Sequence, residues 1–322
     1  MTLDPAVAAT RLAVRRCLEP VTGPVVVACS GGADSLALVS AAVFEGRAAD
    51  LPVLGVTVDH GLQDDSAEVA ERVVRQMAEI GATETMTARV TVSARGRGPE
   101  AAAREARYAV LEEVAQRVSA AVVLLGHTLD DQAETVLLGL ARGSGTRSLA
   151  GMRPAFDVFR RPLLELTRAQ TEQACRAEGL EWWTDPHNAD PGYARVRVRH
   201  SVLPVLEREL GPGIAAALAR TASLARADSE ALDGLADAWL AEHQLGVDEL
   251  GGLPDAVRTR VLHRALLAAG APADEVTYGH VLAVDQLVTS WRGQRWVDLP
   301  GPIRASREPS DEGTLLMFRP VH

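Results

Sequence analysis

Short apolar runs recur along the first half of the chain, at 25–29 (VVVAC), 53–58 (VLGVTV), 88–92 (ARVTV) and 121–125 (AVVLL). Between and after them, residues 35–45, 65–80, 99–118 and 130–141 carry apolar positions at helical spacing. Alternating strands and helices predict an α/β fold with a doubly wound, mostly parallel sheet, covered on both faces. From Pro162 to Leu210 the pattern is helices and loops, with Thr167 as N-cap of a helix through Ala177. Gly211-Pro212-Gly213 breaks it, and sets an expected boundary between a catalytic domain over 1–210 and a second domain over 214–322. Beyond that break, 214–243, 255–269 and 277–291 read as helices. The final segments RWVDLP, GPIRASRE and TLLMFRP read as short strands, so the smaller C-terminal domain is expected to be α+β.

Ligands of a parallel α/β sheet sit at the carboxyl ends of its strands. Three polar segments fall there: Ser30-Gly31-Gly32-Ala33-Asp34-Ser35, Asp59-His60-Gly61 and Gly126-His127-Thr128. In the first, two glycines allow a sharp turn and close backbone approach, and a helix resumes at Leu36. Strand, glycine turn and helix start make an anion site from unpaired N–H groups and the helix dipole. The segment lacks the G-x-x-x-x-G-K-[ST] pattern of a Walker A loop, and all 33 basic residues of the chain are arginine. SGGADS resembles instead the PP-loop of ATP pyrophosphatases, which cleave ATP between the α- and β-phosphates. A plain strand–turn–helix junction is the structural alternative.

Charge and cysteine content alter this picture in two ways. A net charge of −10 argues against a nucleic-acid partner when taken over the whole chain. Locally the balance reverses: six arginines between 142 and 168 face only Asp157 and Glu165, and Arg195, Arg197 and Arg199 follow. Such stretches suit RNA on one face, or a solvated helix surface. Cys17, Cys29 and Cys175 are isolated and odd in number, which fits a reducing compartment and gives no C-x-x-C pair. The N-terminus shows no apolar signal segment, and no apolar run reaches the ~18 residues of a membrane span. We therefore expect a cytoplasmic protein with no membrane partner.

The densest chemistry lies at 126–145, GHTLDDQAETVLLGLARGSG. Asp131, Glu134 and Thr135 share a helical face. Acids in a first helical turn also favour the dipole, which explains Asp130 and Asp131 but not the whole set. His127, Asp131 and Glu134 suit either a Mg2+ site or a cationic amine. Here the resemblance narrows. SGGADS, VDHGL (58–62), EAAAREARY (100–108), GHTLDDQAET (126–135), RGSG (142–145), RPLL (161–164), WTDPHN (183–188) and YARVRVRH (193–200) stand in the order found in the tRNA(Ile)-lysidine synthetase family. The likeness is strong over about 1–210 and weaker beyond. Gln63, His187 and Val196 depart from the family pattern without removing a reactive group.

The resemblance implies a PP-loop, adenine-nucleotide alpha-hydrolase-like fold and a two-step ligation. ATP adenylates O2 of the wobble cytidine of tRNA(Ile) with a CAU anticodon, releasing pyrophosphate; the ε-amine of free L-lysine then attacks C2 and displaces AMP. It assigns Ser30, Gly31, Gly32, Ala33, Asp34 and Ser35, with Asp59 and His60, to the nucleotide. Asp34, Asp131 and Glu134 are its candidates for Mg2+. Asp34, Arg107, His127, Asp131 and Glu134 form the expected catalytic set, with Arg107 offsetting charge as pyrophosphate leaves. Arg195, Arg197 and Arg199 are the expected tRNA grip; if they are helical, only Arg195 and Arg199 share a face. Trp182 and Trp183 are candidates for base stacking or core packing. The family also leaves a homodimer open. Rival readings are a PP-loop tRNA thiolase, which normally needs paired reactive cysteines, and a non-catalytic nucleotide-binding module, which has no use for the acidic helix.

Overall fold

Alternate residues of the central strands feed two separate cores, which is why these strands read as unbroken apolar runs. Val25 and Val27 of β1 (Val25–Ala28) join Val122 and Leu124 of β4 (Val122–Leu125) on one face. There they pack with α1 (Pro5–Leu18), α2 (Ala33–Ala48), α3 (Ser66–Ile80) and α7 (Arg168–Ala177). Val26, Val123 and Leu125 point the other way, onto Leu111, Val114 and Ala115 of α4 (Pro99–Arg117). α2 is buried nearly all round, with Leu36, Leu38 and Val39 fully covered. Each such side chain contributes about 1.5–3 kcal/mol through burial.

The computed structural model describes residues 3–59, 61, 66–90, 99–143, 145–185, 189–311 and 313–321, with backbone only at 99–103. Its main sheet has the order β3-β2-β1-β4-β6-β5, with β2 at Val53–Asp59, β3 at Glu84–Arg89, β5 at Ala155–Phe156 and β6 at Phe159–Arg160. All neighbours run parallel except β5 and β6, which form a small antiparallel hairpin. β1 is the switch point. The chain leaves it for β2 on one side and returns through α4 to β4 on the other, opening a crevice at the carboxyl ends of β1 and β4.

The third strand begins earlier than the 88–92 run predicts. It is an edge strand, and one covered face is enough to fix Leu54↔Glu84 through Asp59↔Arg89. After β4 come α5 (Leu129–Arg142) and α6 (Thr146–Leu149). Ahead of Gly211 lie α8 (Ala194–Arg197), a π-helical stretch at Val198–Val202 and α9 (Leu203–Leu210).

Two compact units emerge: Met1–Gly143 with Gly151–Ala222, and Ser144–Ala150 with Ser223–His322. Gly211-Pro212-Gly213 separates α9 from α10 (Ile214–Glu242), and the units divide inside α10. The second unit adds α11 (Val247–Gly251), α12 (Asp255–Ala268) and α13 (Tyr278–Thr289). Its antiparallel sheet is β7 (Val297–Leu299), β8 (Ile303–Ser310) and β9 (Gly313–Pro320). Leu250, Val261, Leu262, Leu266, Leu287 and Leu316 fill the core of that unit. Among the described residues no helix is long and apolar enough to cross a membrane.

Candidate active site

β1 empties into the glycine turn. Gly31 has φ +82°, a conformation glycine adopts without strain, and a Cβ there would meet Val73 Cγ2 at 2.5 Å. Its carbonyl accepts the Trp183 N–H at 2.9 Å. Ser35 Oγ donates to the Gly32 carbonyl at 2.9 Å and accepts the Ser30 N–H at 3.2 Å, so a hydroxyl in the first helical turn braces the loop. The first bond of the α2 ladder runs from Leu36 N–H to Gly32 C=O. The N–H groups of Ala33, Asp34 and Ser35 precede that ladder and are the donors a helix start offers to an anion.

The end of β4 presses directly on this loop. A Cβ on Gly126 would lie 3.1 Å from Ser35 Cα and 3.2 Å from Asp34 C and Ser35 N, all backbone atoms that cannot swing aside. Overpacking of this kind costs about 1–3 kcal/mol. Gly126→Ala is therefore expected to weaken binding of an ATP analogue about tenfold, with unfolding still cooperative. Unchanged affinity in a calorimetric titration would show that the contact has slack.

An ionic network fills the crevice beside the loop. Thr128 caps α5, and Asp131 Oδ2 accepts both the Thr128 N–H (2.9 Å) and its hydroxyl (3.1 Å). Asp131 Oδ1 faces Arg168 at 2.9 Å and Arg199 at 3.3 Å. One turn on, Glu134 has no exposed surface. Arg199 takes its two oxygens in a fork, at 2.6 and 3.1 Å, while Arg195 and Arg168 stand 3.6 and 3.7 Å away. Arg168 also reaches Asp34 Oδ2 at 3.4 Å, and the Thr171 hydroxyl donates to Asp34 Oδ1. Burial pushes the Asp34 carboxyl up to about 6, against the pull of Arg168 and the Thr171 bond. Burial also acts to raise Asp131, but Arg168, the Thr128 N–H, His127 and Arg199 together hold it below the usual carboxylate range.

Arg168 was not singled out by the sequence, yet it joins Asp34, Asp131 and Glu134. The start of its helix follows from local rules. Thr167 and Gln170 form a capping box that starts α7, and Asp130 Oδ2 accepts the Arg168 N–H at 2.7 Å. The three arginines expected as a tRNA grip divide. Arg195 and Arg199 turn inward on Glu134, and Arg195 also donates to Thr135 Oγ1 at 3.1 Å. Arg197, half a turn away, is exposed and donates to the Pro191 and Gly192 carbonyls.

His127 closes β4 beside this network. Burial drives its imidazole down to about 3, with Arg161, Arg107 and Arg104 adding to the effect, so it is neutral at physiological pH. Its Nδ1 is buried without a hydrogen-bond partner. Arg107 lies 6.0 Å from the Tyr108 ring, and burial lowers its basicity. Asp59 is occupied differently from the rest of the expected nucleotide set: its oxygens accept the Gly61 N–H (2.9 Å) and pair with Arg89 (3.1 Å). His60, Gln63 and His187 lie outside the described residues. Trp182 packs partly against the core with Arg176 over its ring.

Known proteins share both the sequence and the fold. A PP-loop domain family matches residues 10–206, and a TilS substrate binding domain family matches 245–308. The tRNA(Ile)-lysidine synthase of Thermobifida fusca is 54% identical over 312 residues, covering 94% of this chain and 95% of that relative. That of Streptomyces coelicolor is 48% identical, covering 94% and 96%. Among solved structures, the U34-tRNA thiolase NcsA of Methanococcus maripaludis with its 4Fe-4S cluster superposes with a TM-score of 0.55. It shares 19% identity, covers 67% of this chain and 78% of its own, and supports the fold alone. With the glycine turn and the acidic α5 described, a PP-loop family match over 10–206 and 48–54% identity over nearly the whole length, the chain belongs to the tRNA(Ile)-lysidine synthase family of PP-loop, ATP-dependent ligases.

Proposed function

We propose that this chain joins free L-lysine to C2 of the wobble cytidine of a CAU-anticodon tRNA(Ile), through an adenylated RNA and with loss of pyrophosphate and then AMP. Cytosine O2 is a poor leaving group and AMP a good one, so activation precedes amination. The observation that carries the reading is the pairing of Asp34 and Asp131 across the β1–β4 crevice, through Arg168, at the mouth of the phosphate loop.

The roles follow from the surroundings of each group. Gly31, Gly32, Ala33 and Ser35 cradle phosphate with backbone N–H groups, while Ser30 gives its N–H to the Ser35 hydroxyl that holds the turn and offers phosphate its own hydroxyl. Asp34 and Asp131 fit Mg2+, a hard cation that takes one or two carboxylates and completes its shell with phosphate and water. Among the described residues no three His, Cys, Asp or Glu form a self-sufficient metal cage, and a nucleotide-borne Mg2+ does not require one. Its chemistry there is to neutralise charge on the ATP phosphates. Glu134 stands apart from that set, because it is fully enclosed and forked by Arg199, whereas Asp34 and Asp131 keep some exposed side-chain surface. Arg107 offsets the charge that develops as pyrophosphate leaves.

The α5 network carries both signs, which suits a zwitterionic amino acid. Guanidiniums receive its carboxylate, and Asp131, held ionised, orients its amine. His127 serves that end as a neutral hydrogen-bonding group. Arg197 is the member of its trio left at the surface for RNA. The substrates, ATP, tRNA and free lysine, make the cytoplasm the expected setting. A thiolase reading is disfavoured by the thiols themselves. Burial raises the Cys17 and Cys29 thiols and pushes that of Cys175 up to about 12, so none is a ready thiolate.

Incubation with ATP, Mg2+, labelled lysine and the CAU tRNA(Ile) is expected to place label in the RNA and to release AMP. Unlabelled RNA, together with sulfur transfer from a persulfide donor, would overturn the assignment.

A further inference from the structure

Two arginines beside this site have no part in the reaction as proposed. Arg104 on α4 and Arg161, just past β6, both donate to the Tyr108 hydroxyl, at 3.3 and 2.9 Å. Arg161 is only 6% exposed. It also donates to the Arg153 carbonyl, lies 4.6 Å from the Phe156 ring, and buries an Nε with no hydrogen-bond partner. Arg104 stands 5.3 Å from the Tyr108 ring, and Arg107, three residues on along the same face, 6.0 Å. Three guanidiniums thus surround one phenol. Among the described residues none of the three pairs with a carboxylate.

Positive charge gathered and partly desolvated in this way is costly unless a counter-charge arrives. The cost shows in the neighbours, since these arginines depress one another and His127. Two buried polar atoms, Arg161 Nε and His127 Nδ1, are left without partners in the same cluster. The missing component is therefore anionic and carries hydrogen-bonding oxygens. The ATP phosphates have the glycine turn and, for the departing pyrophosphate, Arg107, which leaves Arg104 and Arg161 for a phosphate of a second substrate. The rings of Tyr108, Phe156 and Phe159 pack on one another with centroids 5.0–5.8 Å apart at the edge of the core, and so hold the arginines in place rather than receive a base. A chain of net charge −10 also requires a local positive seat before RNA will approach.

We propose that Arg104 and Arg161, gathered on Tyr108, form a seat for a backbone phosphodiester of the substrate RNA. It rests on the reading of the chain as an RNA-modifying enzyme, but its test needs no turnover. Filter binding of tRNA(Ile) across a salt series is compared for wild type, Arg104→Gln and Arg161→Gln, with a calorimetric titration of inorganic pyrophosphate alongside. Each variant is expected to bind the tRNA about five- to tenfold more weakly, with the slope of log affinity against log salt reduced by about 0.7–1. Pyrophosphate affinity should stay within about twofold of wild type on the same reasoning. Unchanged tRNA affinity and slope would overturn the seat, and so would a loss confined to pyrophosphate. Arg161 is buried, so its variant counts only if its urea midpoint is retained; Arg104 is less enclosed and carries the test by itself. Wild-type protein that fails to bind the tRNA at all would overturn the functional reading instead.

Discussion

Glu134→Gln is expected to cost about 3 kcal/mol of stability, the lower end of the range for removing one partner of a buried ion pair. Glu134 is fully enclosed and answers three guanidiniums at once. The amide keeps the shape and loses the charge, leaving Arg168, Arg195 and Arg199 to share Asp131 and Asp34. These arginines retain 22–28% of their side-chain exposure, so water offsets part of the loss and keeps the cost at that lower end. In a urea titration the midpoint should fall with the slope unchanged. Adding Arg199→Gln should cost less than the sum of the single changes, because the pair leaves together. A single-variant loss below about 1 kcal/mol, or strict additivity, would show that Glu134 does not neutralise this network.

The same network marks where the sequence is readable and where it is not. β1, β2 and β4 announce themselves because both faces of each are buried, which demands apolar residues throughout. β3 is an edge strand of mixed Glu, Thr, Met, Ala and Arg, so the apolar run drew attention to its far end and beyond. β5 and β6 are two residues each and have no period to read. Asp34, Asp131 and Glu134 were legible as candidates because acids at strand ends and along one helical face rarely serve packing. Asp59 satisfied the same rule, yet the neighbouring Gly61 N–H and a cross-strand arginine occupy its oxygens. Helical spacing separated Arg197 from Arg195 and Arg199, but not which pair faces inward. Arg168 was out of reach. Its capping box fixes where α7 begins, whereas its three acidic partners depend on how α7 docks against α2 and α5.

Asp34→Asn is expected to stabilise the protein at neutral pH and to abolish its first chemical step. Folding raises the Asp34 carboxyl from 3.8 to about 6, chiefly by burial. Ionising it inside the fold therefore opposes folding by about 2–3 kcal/mol. The sign comes from proton counts. Between about pH 4 and pH 6 the native state holds a proton that the unfolded chain has released, so this group's contribution to stability falls as pH rises through that window. It is fully present below the lower value and gone above the upper one. Asparagine cannot ionise, and it still accepts a hydrogen bond from Thr171, while Arg168 keeps Asp131. The stability difference between variant and wild type should be near zero at about pH 4 and rise to a plateau above about pH 6.5. Burying an ionised carboxylate at such cost is explicable if the charge is spent on catalysis. Accordingly, tRNA-dependent exchange of labelled pyrophosphate into ATP, measured without lysine, should drop at least about a hundredfold. A stability difference independent of pH would show that the Asp34 carboxyl is not destabilised by burial. Near-normal exchange would remove Asp34 from the adenylation step.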